Sequence, residues 1–465
     1  MSGIYGILGM GSRALLVNQK AMDITGHNIA NVNTPGFSRQ RVNLSTNDPV
    51  SFFQPGQMGT GVKALEIQRI YDRFLGAQIN NENQSLGRWD AQKSTFEKVE
   101  MIIDETSGYG LSQAMNEFWN AWQDLVDNPS GQAERVSLLN KSENMADRFQ
   151  KFYGDIQQVR EDINNSISGT TEEINLIAGQ IADLNQQISV IEAGGQNAND
   201  YRDQRDLLLK ELSSKIDINS FEGDDGMVTV IVGGGNPLVQ DSSSWSLSVA
   251  SDTGPDNQDM VVWEDGYGNV TDIAANISGG KLKGWIQARD VEIPDYLDRL
   301  DTLAQGIMEQ VNVIHRAGFD LNGGTNRDFF TGGSAFDMAV NSDIVDNVNL
   351  IAAAGNPGGL PGDNENAIAI AGLQYGLVMS GGMVTFDDYY NSLVSDVGSD
   401  VQKASINFEH QTLLVTQIEN YRESVSGVSI DEEMLNMIKF QHAYDAAAKL
   451  ISTVDEMLST LINMV

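Results

Sequence analysis

The C-terminal segment, residues 437–465, reads MIKFQHAYDAAAKLISTVDEMLSTLINMV. Its apolar residues recur at alternating steps of three and four, the spacing of a helix that packs one face along a partner helix. We therefore predict a coiled-coil helix over this segment. Its apolar seam consists of Met437, Phe440, Tyr444, Ala447, Ile451, Val454, Leu458, Leu461 and Val465.

The N-terminal segment carries a matching pattern. Glycines crowd its start, and each glycine inside a helix costs about 0.5–1 kcal/mol relative to alanine. We expect this helix to be marginal until it is packed, and two matched helical ends favour a chain that polymerises over one that catalyses. An ordinary intramolecular coiled coil is the alternative. The seven-residue period is formed by Ile4, Leu8, Leu15, Met22 and Ile29, with Gly11, Asn18 and Thr25 in the alternate positions.

Composition limits the partners and the compartment. The 465 residues exceed what one core holds, so two or three domains are expected. A net charge of −35 argues against nucleic acid and anionic membranes, because phosphates would be repelled. The absence of cysteine excludes disulfides and thiolate metal sites. With no long apolar run and no Sec-type leader, we expect neither membrane insertion nor cleavage of a signal.

The middle of the chain is mostly helical. Apolar residues at helical spacing run from Phe149 to Ile191 and stop before Gly194-Gly195, and a second long run covers residues 386–425. Residues 216–280 differ, because short valine-rich runs there alternate and are bounded by glycine, aspartate and asparagine, which is typical of strands.

These patterns predict a mainly α fold with a β-rich insert. We expect a domain of terminal coiled-coil helices, a long helical-bundle stalk domain and a small lateral β domain. Their predicted limits are 1–36 with 429–465 for the terminal assembly domain, 37–215 with 281–428 for the stalk domain, and 216–280 for the insert.

No catalytic motif stands out. The four histidines, His27, His315, His410 and His442, fall in separate predicted helices, where we expect solvated or seam positions. The loop from Asp320 resembles a calcium loop, but its twelfth position is threonine where a bidentate glutamate is needed. We predict no enzyme activity, no metal and no cofactor.

Residues 28–40 read NIANVNTPGFSRQ and resemble a signature shared by flagellar rod, hook and hook-associated subunits. Pro35 followed by Gly36 supplies the fixed φ and then the positive φ of a type II turn. The string that follows the turn narrows the resemblance to the hook-associated protein 1 family. Residues 118–129, FWNAWQDLVDNP, 201–209, YRDQRDLLL, and 440–458, FQHAYDAAAKLISTVDEML, are also similar to that family.

The resemblance implies a structural subunit at the junction between flagellar hook and filament. It implies that the subunit is secreted unfolded by the flagellar type III apparatus and assembles through its terminal helices. The implied partners are further copies of the chain, the hook protein, the second junction protein and an export chaperone on the C-terminal helix.

The residues expected to carry assembly come from the two seams and the turn between the inner helix and the outer domain. In the seams, Leu8, Leu15, Met22 and Ile29 are expected to pack against Ile451, Val454, Leu458 and Leu461, together with Phe440 and Tyr444. In the turn they are Asn31, Thr34, Pro35, Gly36 and Phe37.

Two alternatives stay open from the sequence. The nearest is another flagellar axial subunit: the second junction protein, flagellin or a hook-like protein. The first two normally lack the Thr-Pro-Gly-Phe turn, and hook protein is mostly β between its ends, whereas this chain is mostly helical there. The other alternative is a secreted helical effector or enzyme, which would not explain two matched ends.

Overall fold

A computed structural model describes residues 2–51, 56–103, 110–251 and 259–464 of the chain. Long helices dominate it. They are α1 (Ser2–Ala30), α2 (Arg73–Ile103), α3 (Leu111–Asp127), α4 (Gln132–Ala193), α5 (Asn199–Lys215), α6 (Gly280–Gln287), α7 (Ile293–Ala317), α8 (Ser342–Asp346), α9 (Glu365–Ala371), α10 (Phe386–Ser426) and α11 (Ile430–Asn463). A π-helical stretch, Ala288–Glu292, joins α6 to α7.

The strands are short and pair antiparallel. They are β1 (Gln40–Thr46), β2 (Val50–Ser51), β3 (Gln57–Met58), β4 (Val62–Arg69), β5 (Ile218–Glu222), β6 (Val228–Val232), β7 (Asn236–Gln240), β8 (Ser243–Ser244), β9 (Ser246–Ser251), β10 (Asp259–Glu264), β11 (Val270–Asp272), β12 (Phe330–Thr331) and β13 (Ala339–Val340). Strands β5 to β8 form one sheet in chain order, β10 lies between β9 and β11, and the remaining strands form two-stranded ribbons.

The chain forms two compact units. The first combines three segments, Met1–Gly87, Thr170–Lys281 and His410–Val465. It contains the helix pair α1 and α11, the ribbon of β1 and β4, helix α5 and the β insert. Asn185 of α4 ties the insert to this unit, because its amide donates to the carbonyls of Val228 and Asp241. The terminal segments and the β insert therefore share one unit.

The second unit combines Arg88–Gly169 and Leu282–Glu409. Its core is aromatic, with Trp122 of α3 packed 5.3 Å from Phe329, centroid to centroid. Arg135 is buried there without a carboxylate, and its guanidinium instead donates to the carbonyls of Pro129, Val348 and Ile351. Burial lowers the pKa of Arg135 to about 10. These hydrogen bonds satisfy the buried guanidinium inside the core.

The mainly α fold with a β-rich insert is confirmed, whereas the three domain limits stay a prediction. Helix α4 ends two residues before Gly195, as the glycine pair predicts. Two regions contain helices that the sequence pattern does not indicate. Residues 199–215 form α5, which the apolar spacing does not indicate, and the glycine-rich stretch 318–383 contains α8 and α9.

Candidate assembly site: the terminal helices and the turn

Helices α1 and α11 pack against each other in antiparallel directions. A Cβ atom added to Gly11 would lie 2.8 Å from Cγ1 of Ile451, and one added to Gly26 would lie 4.0 Å from Cε of Met437. Later positions of α1 thus face earlier positions of α11. Glycine at position 11 lets the two backbones approach closely, because any larger side chain would meet Ile451.

The buried stripe of α1 lies on the side of Gly11 and Thr25. Its apolar members are Val17 and Ala21, which are nearly inaccessible. The predicted seam residues of α1 lie beside this stripe and are only half buried: Leu8, Leu15, Met22 and Ile29. In this single chain, then, the small residues form the contact line and the large ones flank it.

Helix α11 leaves most of its apolar surface uncovered. Of its predicted seam, Val454 is buried and Leu461 is half exposed, while Phe440, Tyr444, Ile451 and Leu458 are intermediate. Val465 lies outside the described residues. Monomeric soluble proteins rarely expose apolar residues along a whole helix. The large apolar residues of α11 and its C-terminal cap that are between 43% and 78% exposed are Ile430, Met434, Leu435, Ile438, Leu450, Met457, Leu461, Ile462 and Met464.

The N-terminus of α11 carries one half of a capping box. The Ser429 side chain accepts from the backbone N–H of Glu432, the first half of a capping box. The Glu432 carboxylate does not return to the cap; it binds the guanidinium of Arg39 at 2.6 Å. This ion pair joins the start of α11 to the segment that follows the turn.

The turn after α1 has the geometry of a type II turn. Gly36 has φ +80°, and the N–H of Phe37 donates to the carbonyl of Thr34. Before it, the Asn31 side chain donates to the carbonyl of His27 and accepts from the Thr34 hydroxyl. These bonds close the C-terminus of α1, and Pro35 and Gly36 then reverse the chain.

The turn packs on α5. A Cβ added to Gly36 would lie 3.4 Å from Cβ of Leu207, and the Phe37 ring meets the edge of the His27 ring at a centroid distance of 5.4 Å. The His27 ring in turn lies 3.4 Å from the Asp200 carboxylate. All five predicted turn residues are therefore brought together, and α5 supplies the surface beneath them.

One histidine lies in a helix seam, one of the two kinds of position expected for the histidines. His315 is fully buried on the packed face of α7: Nδ1 lies 2.7 Å from the carbonyl of Arg327, and Nε2 accepts from the N–H of Ala352. These partners require the neutral ring with its proton on Nδ1. Burial lowers the pKa of His315 to about 4. The ring is a structural link within the second unit.

The calcium-like loop is a turn. The Asp320 carboxylate accepts from the N–H groups of Asn322 and Gly324 and pairs with Arg327. Within the described ranges, no three His, Asp or Glu side chains are grouped so that they could hold a metal.

None of the helices the structure describes is long and apolar enough to cross a bilayer. Gly233, Gly234 and Gly235 all have positive φ at a strand end and form the turn between β6 and β7.

The sequence reasoning missed three residues of this site. Asn28, Gln40 and Glu433 are each less than 7% exposed and hydrogen-bond to one another. Asn28 and Gln40 are the two ends of the quoted signature string, so a signal for them was present. Glu433 carried none, because an acidic residue in the first turn of a helix is normally solvated.

Comparisons with models of known protein families assign the chain to a class of protein. A family model described as "Flagellar hook-associated protein FlgK helical domain" matches residues 96–330. At the ends, "Flagella basal body rod protein" matches residues 8–37 and "Flagellar basal body rod FlgEFG protein C-terminal" matches residues 422–464. The terminal helices and turn thus define the class: the chain is a structural component of the bacterial flagellum.

Full-length relatives narrow the class to one family. The flagellar hook-associated protein 1 of Bacillus subtilis (strain 168) is 31% identical, over 97% of this chain and 96% of its own length. That of Escherichia coli (strain K12) is 27% identical over 96% of this chain and 97% of its own. The chain belongs to the flagellar hook-associated protein 1 family, FlgK. These relatives are structural proteins of the flagellum and not enzymes.

A solved structure has the same fold. The flagellar hook junction protein FlgK from Burkholderia pseudomallei superposes with a TM-score of 0.68 and 15% sequence identity, covering 75% of this chain and 100% of that one. At this identity the likeness concerns the fold alone.

Proposed function

We propose that this chain is the subunit that joins the flagellar hook to the filament and that it polymerises through α1 and α11. The observation that carries the proposal is the exposed apolar face of α11. Within one chain, the apolar positions of α11 that are fully buried are Ala447 and Val454, although the helix is apolar along its length. Neighbouring copies, with the hook protein below and the second junction protein above, would bury the rest.

The same surface suits a cytoplasmic partner before assembly. A long helix with exposed methionine, leucine and isoleucine would aggregate unless it were covered. We infer that an export chaperone binds α11 in the cytoplasm and is released when the chain leaves unfolded through the flagellar type III apparatus. The absence of cysteine supports this route, because no thiol can oxidise on the way from a reducing to an oxidising compartment.

A clean deletion of the gene in its motile host tests the proposal. Electron microscopy should show hooks without filaments, and flagellin should accumulate in the medium. Missing hooks would make the chain a rod or hook subunit, and normal filaments would refute the junction role.

Complementation separates the terminal pair from the rest of the protein. The intact chain should restore filaments, whereas a chain ending at residue 428 should not, because α1 loses its partner helix. The second unit contains no residue beyond 409 and should stay folded in the truncated chain. Filaments built by the truncated chain would show that α11 is dispensable for assembly.

A further inference from the structure

A network of buried polar residues, joined by hydrogen bonds and by the backbone of the turn segment (residues 36–40), runs from α5 into both terminal helices. It lies entirely in the first unit. Six of its members are at most 7% exposed: Asn28, Ser38, Gln40, Asn199, Asp203 and Glu433. A buried polar group is costly unless it is bonded, so these six bonded residues are a specific feature of this fold.

The first half of the network holds the turn segment on α5. The Asp203 carboxylate accepts from the backbone N–H of Ser38 at 2.8 Å and from the guanidinium of Arg69 at 2.8 Å. The side-chain amide of Gln40 forms two hydrogen bonds with α5. Its oxygen accepts from Asn199 at 3.2 Å, and its nitrogen donates to Asp200 at 2.6 Å. Helix α5 thus fixes residues 38 and 40.

The second half of the network connects the turn segment to the pair of terminal helices. Asn28 of α1 binds both backbone groups of Gln40: its oxygen accepts from the N–H at 2.9 Å, and its amide donates to the carbonyl at 2.8 Å. The same amide donates to the Glu433 carboxylate of α11 at 2.9 Å. One asparagine side chain therefore links the turn segment to both terminal helices.

The energetics favour a role in geometry over a role in stability. Burial raises the pKa of Asp203, even though Arg69 and the Ser38 N–H lower it. Buried ion pairs of this kind add little net stability, but they hold groups in one arrangement because any shift leaves a buried charge unpaired.

We propose that Asp203 and Asn199 of α5 are positioning residues for assembly, which hold the segment 36–40 and, through Asn28, set the place of α1 and α11 on the body of the subunit. The inference rests on the proposed function, since helices that must meet neighbouring copies have to leave each subunit in the same place. It also gives a role to the string YRDQRDLLL, whose Asp203 is the anchor.

The first test measures the free monomer, independently of assembly. Asp203→Ala leaves the Ser38 N–H buried without an acceptor, and hydrogen exchange at residues 36–40 and near Asn28 should accelerate about tenfold. Asp203→Asn keeps an oxygen acceptor and should restore much of the protection. If Asp203→Ala fails to fold, Asn199→Ala provides a milder substitution in the same network.

Arg202→Gln is the matched control. Arg202 lies on the same helix and is similarly enclosed, but it binds Glu192 and Glu222 and does not touch the turn segment. It should lower the thermal midpoint while leaving exchange at residues 36–40 at its wild-type rate. Equal acceleration in the control and in Asp203→Ala would overturn the proposal, because both residues would then act only on general stability.

Filament counts in the complemented deletion strain give the second readout. Secreted Asp203→Ala should leave most hooks without filaments, Asp203→Asn should recover them in part, and Arg202→Gln should match the wild type. Normal filaments with Asp203→Ala, despite faster exchange, would overturn the positioning role. Failure of the proposed function itself would be visible separately, as a deletion strain that still carries filaments.

Discussion

Helices α7 and α11 have the same apolar period, yet they bury very different amounts of it. Helix α7 buries eleven of its 25 residues, including Leu300, Ile307 and Val311, whereas α11 buries three of 34. The two helices differ in what surrounds them: α7 lies inside the second unit, and α11 contacts chiefly α1. The same apolar period is therefore buried in a core in one place and left largely exposed in the other.

The largest effect is expected in the finished core. Trp122→Ala removes a fully buried indole that packs on Phe329, and it should lower the free energy of unfolding of the second unit by about 3–5 kcal/mol. Urea unfolding followed by circular dichroism measures this loss. Met101→Ala, at a side chain 70% exposed, is the control and should stay within about 0.5 kcal/mol. Equal losses would mean that burial does not distinguish the two sites.

The same core should be sensitive to acid through His315. Its pKa falls from 6.5 to about 4 on folding, so the unfolded chain takes up the proton first. The stability that the neutral ring contributes is complete above pH 6.5 and is lost as the pH falls toward 4, by about 3 kcal/mol in all.

His315→Gln isolates this contribution, because glutamine can also offer a donor and an acceptor but does not titrate. The stability difference between wild type and variant should favour the wild type at pH 7 and shrink or reverse near pH 4.5. Parallel pH profiles would contradict the assignment. The unfolding of the Trp122→Ala variant and that of the His315→Gln variant should both be followed with a probe in the second unit.

Glycine substitutions probe how closely α1 and α11 approach. Gly11→Ala places a methyl 2.8 Å from Ile451 and should destabilise the pair by about 1–3 kcal/mol, despite the better helix propensity of alanine. Gly6→Ala meets nothing within 4 Å and should stabilise α1 by up to about 1 kcal/mol. Limited proteolysis of the monomer, which we expect to remove both ends first, should be faster for the first variant and slower for the second. The same sign for both would disprove the close contact.

The smallest effect on stability is expected at an exposed position of α11. Val454→Ser alters a buried position of α11 and should cost about 0.5–3 kcal/mol. Leu461→Ser alters a half-exposed position and should change monomer stability by less than about 0.5 kcal/mol, yet filament counts in complemented cells should fall. Wild-type assembly by Leu461→Ser would show that the exposed end of α11 faces solvent in the flagellum as well.

Much of the fold was predictable because long helices have a strong local signal. The end of α4 at Gly194-Gly195, the turn at Pro35-Gly36 and the β character of residues 216–280 follow from residue types and spacing. Helix α5 was not predicted, because its polar surface has no clear apolar period. The seam position of His315 was one of two expected alternatives, but its ring partners were not predicted, because they are backbone groups of residues 327 and 352, which no local pattern reveals.

The sequence by itself determined the period of both terminal helices, the reversal between α1 and β1, and a composition without cysteine. These are properties of neighbouring residues, since helix period and turn geometry depend on side chains a few positions apart. Only the tertiary structure decided that Gly11 meets Ile451 and that Asn28 joins Gln40 to Glu433. Those contacts link opposite ends of the chain, as between Asn28 and Glu433, which are 405 positions apart, and they depend on which faces the fold brings together. A periodic pattern states that a helix needs a partner, but it does not state which one.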